Sequence, residues 1–427
     1  MYIFTVLVLL LLLIMSVILN RKKNFVLVGF YGIWLVVIIL SGLKLYGLVE
    51  FSTRVYYVVL IGITGFTVGY IFMKNSKILT LSTKYKSGVT QDYQINIKIL
   101  TKFLWVILFF YLIQLSKVIS LLLNGVSWLE IRYYYYTTGI LFNGFEKFFS
   151  TWVALPFIFF LLAPLLLNLF LDGFRNKKVF TLALFSVISH IIVTQGKELF
   201  IYWFMSICLC LAFNNKRLSK TNKKLIFRTL LFIIASIFII QFSRNGQLSI
   251  DFLYNYLGIS MTVMDHWLNY IDENNIMAYG LAFSNGILNI PFSLTEKITG
   301  FYPDFLMKIN NELNYILSTG IMAFEGKRET TNVYITMFTF FYYDFRYFGV
   351  FIESLIFGLF IGASTKRFYA SKRTLYHKTL YCIIALSAWC SFIYWGFFIT
   401  PYLLSFVYLR LLFKKKINRD RGGQLSV

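Results

Sequence analysis

The sequence predicts an all-α polytopic integral membrane protein. The expected form has about eleven transmembrane helices, the N-terminus outside, the C-terminus cytoplasmic, and one large external loop with short interfacial helices. Three observations predict it. The 427 residues are 58% hydrophobic and only 14% charged, more apolar surface than a water-facing fold can bury, so the bilayer is the solvent. Basic residues collect in alternate connections between apolar runs, and acidic residues collect in the others. One acidic connection is roughly 100 residues long, well beyond ordinary connection lengths, and such loops are normally functional.

Apolar runs of about 18 to 25 residues match the ~30 Å hydrocarbon core of a bilayer. They fall near 2–19, 25–43, 55–73, 103–123, 149–171, 179–194, 199–213, 229–243, 346–364, 378–396 and 398–413. Two neighbouring pairs, 179–194 with 199–213 and 378–396 with 398–413, read as tight helical hairpins. The first run lacks a basic leader and a small-residue cleavage site, and Arg21, Lys22 and Lys23 follow it directly. It reads as a retained span with its N-terminus outside.

The expected organisation is a membrane domain over 1–240, holding spans one to eight and a medium external loop at 124–148. A large external loop over 241–345 forms part of the site. A second membrane portion over 346–413 holds spans nine to eleven, and a basic cytoplasmic tail covers 414–427. Stretches of the large loop such as ILNIPFSLTEKITGFYPDFLMKI (287–309) suit amphipathic helices lying on the outer leaflet.

An excess of 41 Lys and Arg over 18 Asp and Glu raises the question of nucleic acid. Its distribution answers it: the basic residues sit in alternate connections and the tail, as with Arg175, Lys177 and Lys178 or Lys414, Lys415 and Lys416. The charge is therefore a positive-inside topology signal, and no nucleic-acid partner is expected. Cys208, Cys210, Cys382 and Cys390 all lie inside spans and offer neither a disulfide framework nor a metal-ligand spacing. His190, His266 and His377 are scattered, so no metal site is expected.

No glycine-rich phosphate loop, nucleotide fingerprint, serine elbow or HExxH motif occurs. With no engine for ATP and no cofactor, an external enzyme needs a substrate that arrives already activated. A lipid-linked diphosphate sugar has that property, because its leaving group departs readily once its charge is neutralised.

Isolated cations at external helix ends are the first candidates for that neutralisation. They are Arg132 in WLEIRYYYY (128–136), Lys197 in TQGKEL (194–199), Arg244 in QFSRNGQ (241–247) and Arg328 in EGKRETTN (325–332). A guanidinium binds phosphate oxygens through a planar fork and lysine acts as a compact point charge. Each alone is also what an interfacial anchor looks like; the cluster is what points to a diphosphate. Asp344 and Arg346 stand among aromatics where the large loop re-enters the membrane, either as a snorkelling pair or as part of the site. Asp344 is the first candidate for a base or acceptor-orienting group, and His266, beside Asp265, the second. Tyr343 and Trp267, like the YYYY run at 133–136, offer faces for sugar rings or form an aromatic belt. Lys117 and Glu353 lie inside spans, where a charge is costly unless paired or lining a cavity.

On these residues the chain resembles the bacterial polysaccharide repeat-unit polymerases, the Wzy-type O-antigen and capsule polymerases. Glu130–Arg132, Gln195–Lys197, Ser243–Gly246, YGLAFSNGILNIP (279–291) and above all TNVYITMFTFFYYDFRYFG (331–349) carry the likeness. The family often has Gly-Gly-Arg where this chain has Gln195, Gly196 and Lys197, and glycine directly after Asp-Phe where this chain has Arg346. The resemblance implies a multi-pass protein of the bacterial cytoplasmic (inner) membrane. There, two undecaprenyl-diphosphate-linked oligosaccharides meet at the outer face, and the growing chain passes from its lipid to the nonreducing end of a new repeat unit. It also implies membrane lipid, a flippase and a chain-length regulator as partners, with no cofactor.

A lipid-linked oligosaccharide flippase is the rival from another class. Against it stand the absence of a paired internal repeat and the gathering of polar residues at one external end rather than at mid-bilayer. An O-antigen-ligase-like transferase would share the donor chemistry and differ in acceptor. A transferase using monophosphate-linked single sugars ranks last, because the first external loop holds only Glu50 as an acidic residue.

Overall fold

A computed structural model describes residues 1–18, 24–76, 92–135, 141–213, 220–245, 251–325, 335–371 and 373–416. The described chain is almost entirely helical. In order it forms α1 (Tyr2–Ile18), α2 (Phe25–Gly42), α3 (Arg54–Asn75), strand β1 (Asp92–Ile95), α4 (Ile97–Leu123), α5 (Trp128–Tyr133) and α6 (Gly144–Phe149). The last continues through π-helical turns into α7 (Leu162–Leu171). Then come α8 (Lys177–Thr194), α9 (Glu198–Phe213), α10 (Lys220–Asn245), α11 (Asp251–Gly258), α12 (Ser260–Glu273), α13 (Leu281–Thr299) and α14 (Asp304–Ser318). The chain closes with α15 (Met337–Ala370), α16 (Leu375–Trp389), α17 (Thr400–Leu412) and strand β2 (Phe413–Lys416).

Among the described residues, six segments are long and apolar enough to cross a membrane: α2, α3, α4, the continuous Gly144–Leu171 stretch, α8 and α15. Shorter apolar helices are α1, α9, the Ile226–Ile240 part of α10, and α17. An all-α fold with membrane-length apolar helices is therefore what the sequence forms. The boundaries differ at several places, and two of them bear on the site. The run at 378–396 is helical only to Trp389, after which the chain turns through a 3₁₀ segment at Gly396–Phe398. The turn inserts the Trp395 ring among Phe283, Phe341 and Phe357, with centroids 4.8–5.0 Å away. The other is α15, which begins at Met337 rather than near 346 and is broken inside, at Phe345 (φ −143°, ψ 33°) and Arg346 (φ 55°, ψ −141°).

The chain divides into two compact units. Unit one comprises Met1–Lys74, Leu211–Thr365 and Ile384–Leu403; unit two comprises Asn75–Cys210, Lys366–Ile383 and Leu404–Val427. In unit one, α3 and α15 cross at glycines. A methyl group added at Gly69 would lie 2.1 Å from the Leu355 carbonyl oxygen, and one at Gly358 2.1 Å from that of Phe66. Between apolar helices in lipid there is little hydrophobic drive to associate, so close backbone approach and dispersion hold such a crossing. Beside it, buried Trp34 stacks on Phe338 (4.7 Å) and donates its indole N–H to Ser391 Oγ (3.0 Å). Helix α12 packs on α2, and its Thr262 hydroxyl donates to the Val49 carbonyl at 3.0 Å. In unit two, α4 lies along α8, and β1 pairs antiparallel with β2, Asp92 opposite Lys416 and Ile95 opposite Phe413. Lys117 is paired there: its ammonium lies 2.7 Å from both Glu146 oxygens and donates to the Leu141 carbonyl at 3.2 Å.

Candidate functional site

Unit two carries a cationic corner. Helix α8 stops where Gln195 adopts the left-handed conformation (φ 51°), its N–H still bonded to Ile191. The Thr194 hydroxyl then accepts the Gly196 N–H at 3.3 Å, and α9 starts at Glu198. This tight reversal puts Lys197, only 4% exposed, directly before a 16-residue helix whose N-terminal N–H groups carry partial positive charge. Arg132 comes to the same turn from α5, donating Nη1–H to the Gln195 carbonyl at 3.0 Å. The short α5 is fixed by a reciprocal cap in which Ser127 and Glu130 satisfy each other's backbone N–H groups. Glu130 is thereby committed to the cap, and those hydrogen bonds hold its carboxyl below the usual range.

Around the corner lie neutral groups. Burial pushes the Tyr135 phenol up to about 12, with Glu198 adding to the shift, so it remains a neutral donor. One turn below Thr194, His190 is buried between the edges of Tyr111 (5.0 Å) and Phe159 (5.2 Å), and its Nδ1 has no hydrogen-bond partner among the described residues.

Unit one holds the Asp344–Arg346 corner, and the two charges face different helices. Asp344 is 0% exposed. Its Oδ1 accepts the N–H groups of Gly280 (2.8 Å) and Ala282 (3.0 Å), and its Oδ2 that of Phe283 (2.7 Å). These are the first N–H groups of α13, which enters from Gly280 at φ 87°, so Asp344 serves as a capping carboxylate supplied from another helix. Glu353, two turns further along α15, is likewise buried at 4% exposed, and its Oε2 has no hydrogen-bond partner among the described residues.

Arg346 turns instead to the end of α12. Its Nε lies 2.9 Å from Asp272 Oδ1, and its two other nitrogens donate to the carbonyls of Ile276 (2.7 Å) and Ile271 (3.1 Å). Arg54, at the start of α3, pairs with Asp272 and donates to the Tyr342 hydroxyl. That hydroxyl in turn donates to Asp272 at 3.0–3.1 Å.

His266 is exposed on α12, next to Asp265, whose carboxylate holds the Ser52 backbone N–H at 3.0 Å. Partial burial of the ring lowers its pKa from the ordinary value, against opposing pulls from Glu273 and Asp265. The two residues expected to stack on sugars are interior. Trp267 and Tyr343 are each 1% exposed, and Trp267 is enclosed edge-on by His266, Tyr270 and Tyr315.

Of the sequence candidates, then, Arg132 and Lys197 meet at one turn. Asp344 and Arg346 remain neighbours in the chain but not in contact. The Arg244 side chain and Arg328 lie outside the described residues. Sequence reading missed Arg54, Asp272 and the use of Tyr342. Arg54 did carry a signal, as an isolated cation at a span's end in FSTR, the same signal that singled out the other four. No protein-family model, curated protein or solved structure matches the chain.

Proposed function

We propose that the chain is a polysaccharide polymerase, joining undecaprenyl-diphosphate-linked oligosaccharide units into O-antigen or capsular polysaccharide at the outer face of a bacterial cytoplasmic membrane. The observation that carries this reading is the meeting of Arg132 and Lys197 at the N-terminus of α9. A guanidinium, an ammonium and a helix N-terminus together make an anion site suited to a diphosphate leaving group. Arg244 and Arg328, expected from the sequence to share this role, lie outside the described side chains.

In the transfer, the anomeric carbon–oxygen bond to the diphosphate breaks and a bond to the acceptor hydroxyl oxygen forms. The lipid diphosphate leaves with the electron pair, and the hydroxyl proton passes to a base. Taken within unit one alone, His266 has the chemistry of a base, since its lowered pKa leaves it neutral near pH 7. Asp344 suits a positioning role, because both its oxygens already hold α13. The same reading takes eleven spans, an external N-terminus and a cytoplasmic tail, in keeping with the side on which the basic connections fall.

The test is the glycan pool of a deletion strain. A single lipid-linked repeat unit displayed outside, with no long polymer, is expected. Repeat units held on the cytoplasmic side would identify a flippase and overturn the reading. Long lipid-linked polymer that never reaches its final acceptor would identify a ligase and do the same. Restoring the strain with Arg132→Gln at normal protein level should leave polymer reduced at least tenfold, the scale expected for one lost charge-assisted contact.

A further inference from the structure

Arg346 sits in a backbone conformation (φ 55°, ψ −141°) that glycine enters readily and an L side chain enters with strain. Outliers of this kind persist where the surrounding structure over-determines them, and they cluster at working sites. What the break in α15 achieves is to turn the Arg346 guanidinium away from its own helix and onto Asp272. Arg54 reaches the same carboxylate, and the Tyr342 hydroxyl donates to both of its oxygens.

Two guanidinium groups therefore share one carboxylate, leaving a local excess of one positive charge. The cluster is not sealed: the Arg54, Arg346 and Asp272 side chains are 22%, 20% and 37% exposed. Arg54 also keeps a buried Nε–H with no partner among the described residues. A purely structural ion pair needs one arginine, whereas here Arg54 Nη2, Arg346 Nε and the Tyr342 hydroxyl converge on one carboxylate, a donor set that fits the several oxygens of a phosphate.

We propose that Arg54, Arg346 and Tyr342 form an anion site for the diphosphate of a lipid-linked substrate, and that the Asp272 carboxylate occupies it at rest as an internal stand-in. This rests on the polymerase reading and deepens it. A polymerase handles two lipid-linked substrates, and this site lies in unit one, whereas the Arg132–Lys197 corner belongs to unit two. Binding replaces the Asp272 contacts with phosphate oxygens, releasing the carboxylate at the end of α12.

The sign of one substitution separates this from a structural staple. The full-length protein in phosphatidylcholine nanodiscs is titrated calorimetrically with inorganic diphosphate, alongside Asp272→Asn, Arg54→Gln, Arg346→Gly and the double variant Arg132→Gln/Lys197→Gln. Thermal unfolding of each confirms that it is folded. Removing the stand-in in Asp272→Asn should tighten diphosphate binding about tenfold, while Arg54→Gln and Arg346→Gly should weaken it by at least about tenfold. Unchanged or weaker binding in folded Asp272→Asn overturns the proposal and leaves the cluster a brace for α12.

The double variant separates the two sites. If it alone changes binding, the unit-two corner stands and this site does not. If Asp272→Asn tightens binding while the double variant changes nothing, this site stands and the donor-site assignment fails. Adding phosphatidylglycerol to the discs identifies the source: no competition supports a lipid-linked diphosphate, and competition overturns it in favour of a phospholipid headgroup.

Discussion

Asp344 holds its side chain with no exposure to solvent by accepting three backbone N–H groups at the first turn of α13. Replacing it with alanine strands three N–H groups at the start of α13, that of Ala282 fully buried and those of Gly280 and Phe283 partly so. Each orphaned buried donor costs about 1–3 kcal/mol, so Asp344→Ala should lower stability by about 3 kcal/mol or more, read from unfolding of the purified protein. A tolerated Asp344→Ala would remove the capping role. His266 answers to pH. Its folded pKa is lowered by partial burial, so the unfolded chain takes up the proton first as pH falls below about 6.5. The stability tied to this ring is present above that value and is lost as pH falls toward the folded pKa. An NMR titration of its ring protons should give a midpoint below about 6.5. If the ring is also the base, His266→Asn should abolish the acid limb of the activity profile that this titration produces. An unaltered acid limb in an active His266→Asn protein would assign the base elsewhere.

Helices α3 and α15 meet through two pairs of glycines, Gly65 with Gly69 and Gly358 with Gly362, each spaced four apart so that both fall on one face. A side chain at Gly358 meets backbone, which cannot swing aside. Gly358→Ala should therefore cost about 1–3 kcal/mol by overpacking. Gly32, in the middle of α2, has nothing within 4 Å of an added methyl, so Gly32→Ala should be neutral or stabilising by up to about 1 kcal/mol through helix propensity. Equal effects of the two substitutions on thermal unfolding would mean that the crossing does not depend on close approach. This is also the scale at which the sequence was legible in part. Helical class and the apolar runs follow from hydropathy over a whole window, and the short helices of the 241–345 stretch follow from its amphipathic periods. Where α15 begins and breaks does not follow, because hydropathy is blind to a left-handed residue stabilised by contacts from a distant helix. The meeting of Arg132 with Lys197 was expected from isolated charge at helix ends, but the carbonyl of Gln195 that joins them was not. The sharing of Asp272 by Arg54 and Arg346 involves residues more than two hundred positions apart for one of its arms, and no local pattern encodes that.

For the whole molecule, the decisive quantity is which membrane face each charged surface meets, because every functional reading above places its chemistry outside. Basic connections favour the cytoplasmic face by the positive-inside rule. With Lys178 at the start of α8 and Glu296 near the end of α13, both exposed to solvent or lipid headgroups, the orientation becomes a labelling experiment. The native thiols lie in apolar helices and the turn after α16 and are removed first: Cys208 is half-buried, and Cys210, Cys382 and Cys390 are buried. A single cysteine is then introduced at one position at a time. Glu296→Cys should react with a membrane-impermeant maleimide in intact cells, and Lys178→Cys only after permeabilisation. The reversed pattern would put the α13 surface in the cytoplasm, where an undecaprenyl-linked chain is not being extended, and would remove the polymerase and ligase readings together. Labelling of both from one side would mean an even number of crossings separates them, and the eleven-span scheme would fail while the all-helical membrane fold stood. The expected result leaves the Asp344 cap and the Arg54–Asp272–Arg346 cluster on the face where lipid-linked diphosphates are used, which is the condition for either to take part in the reaction.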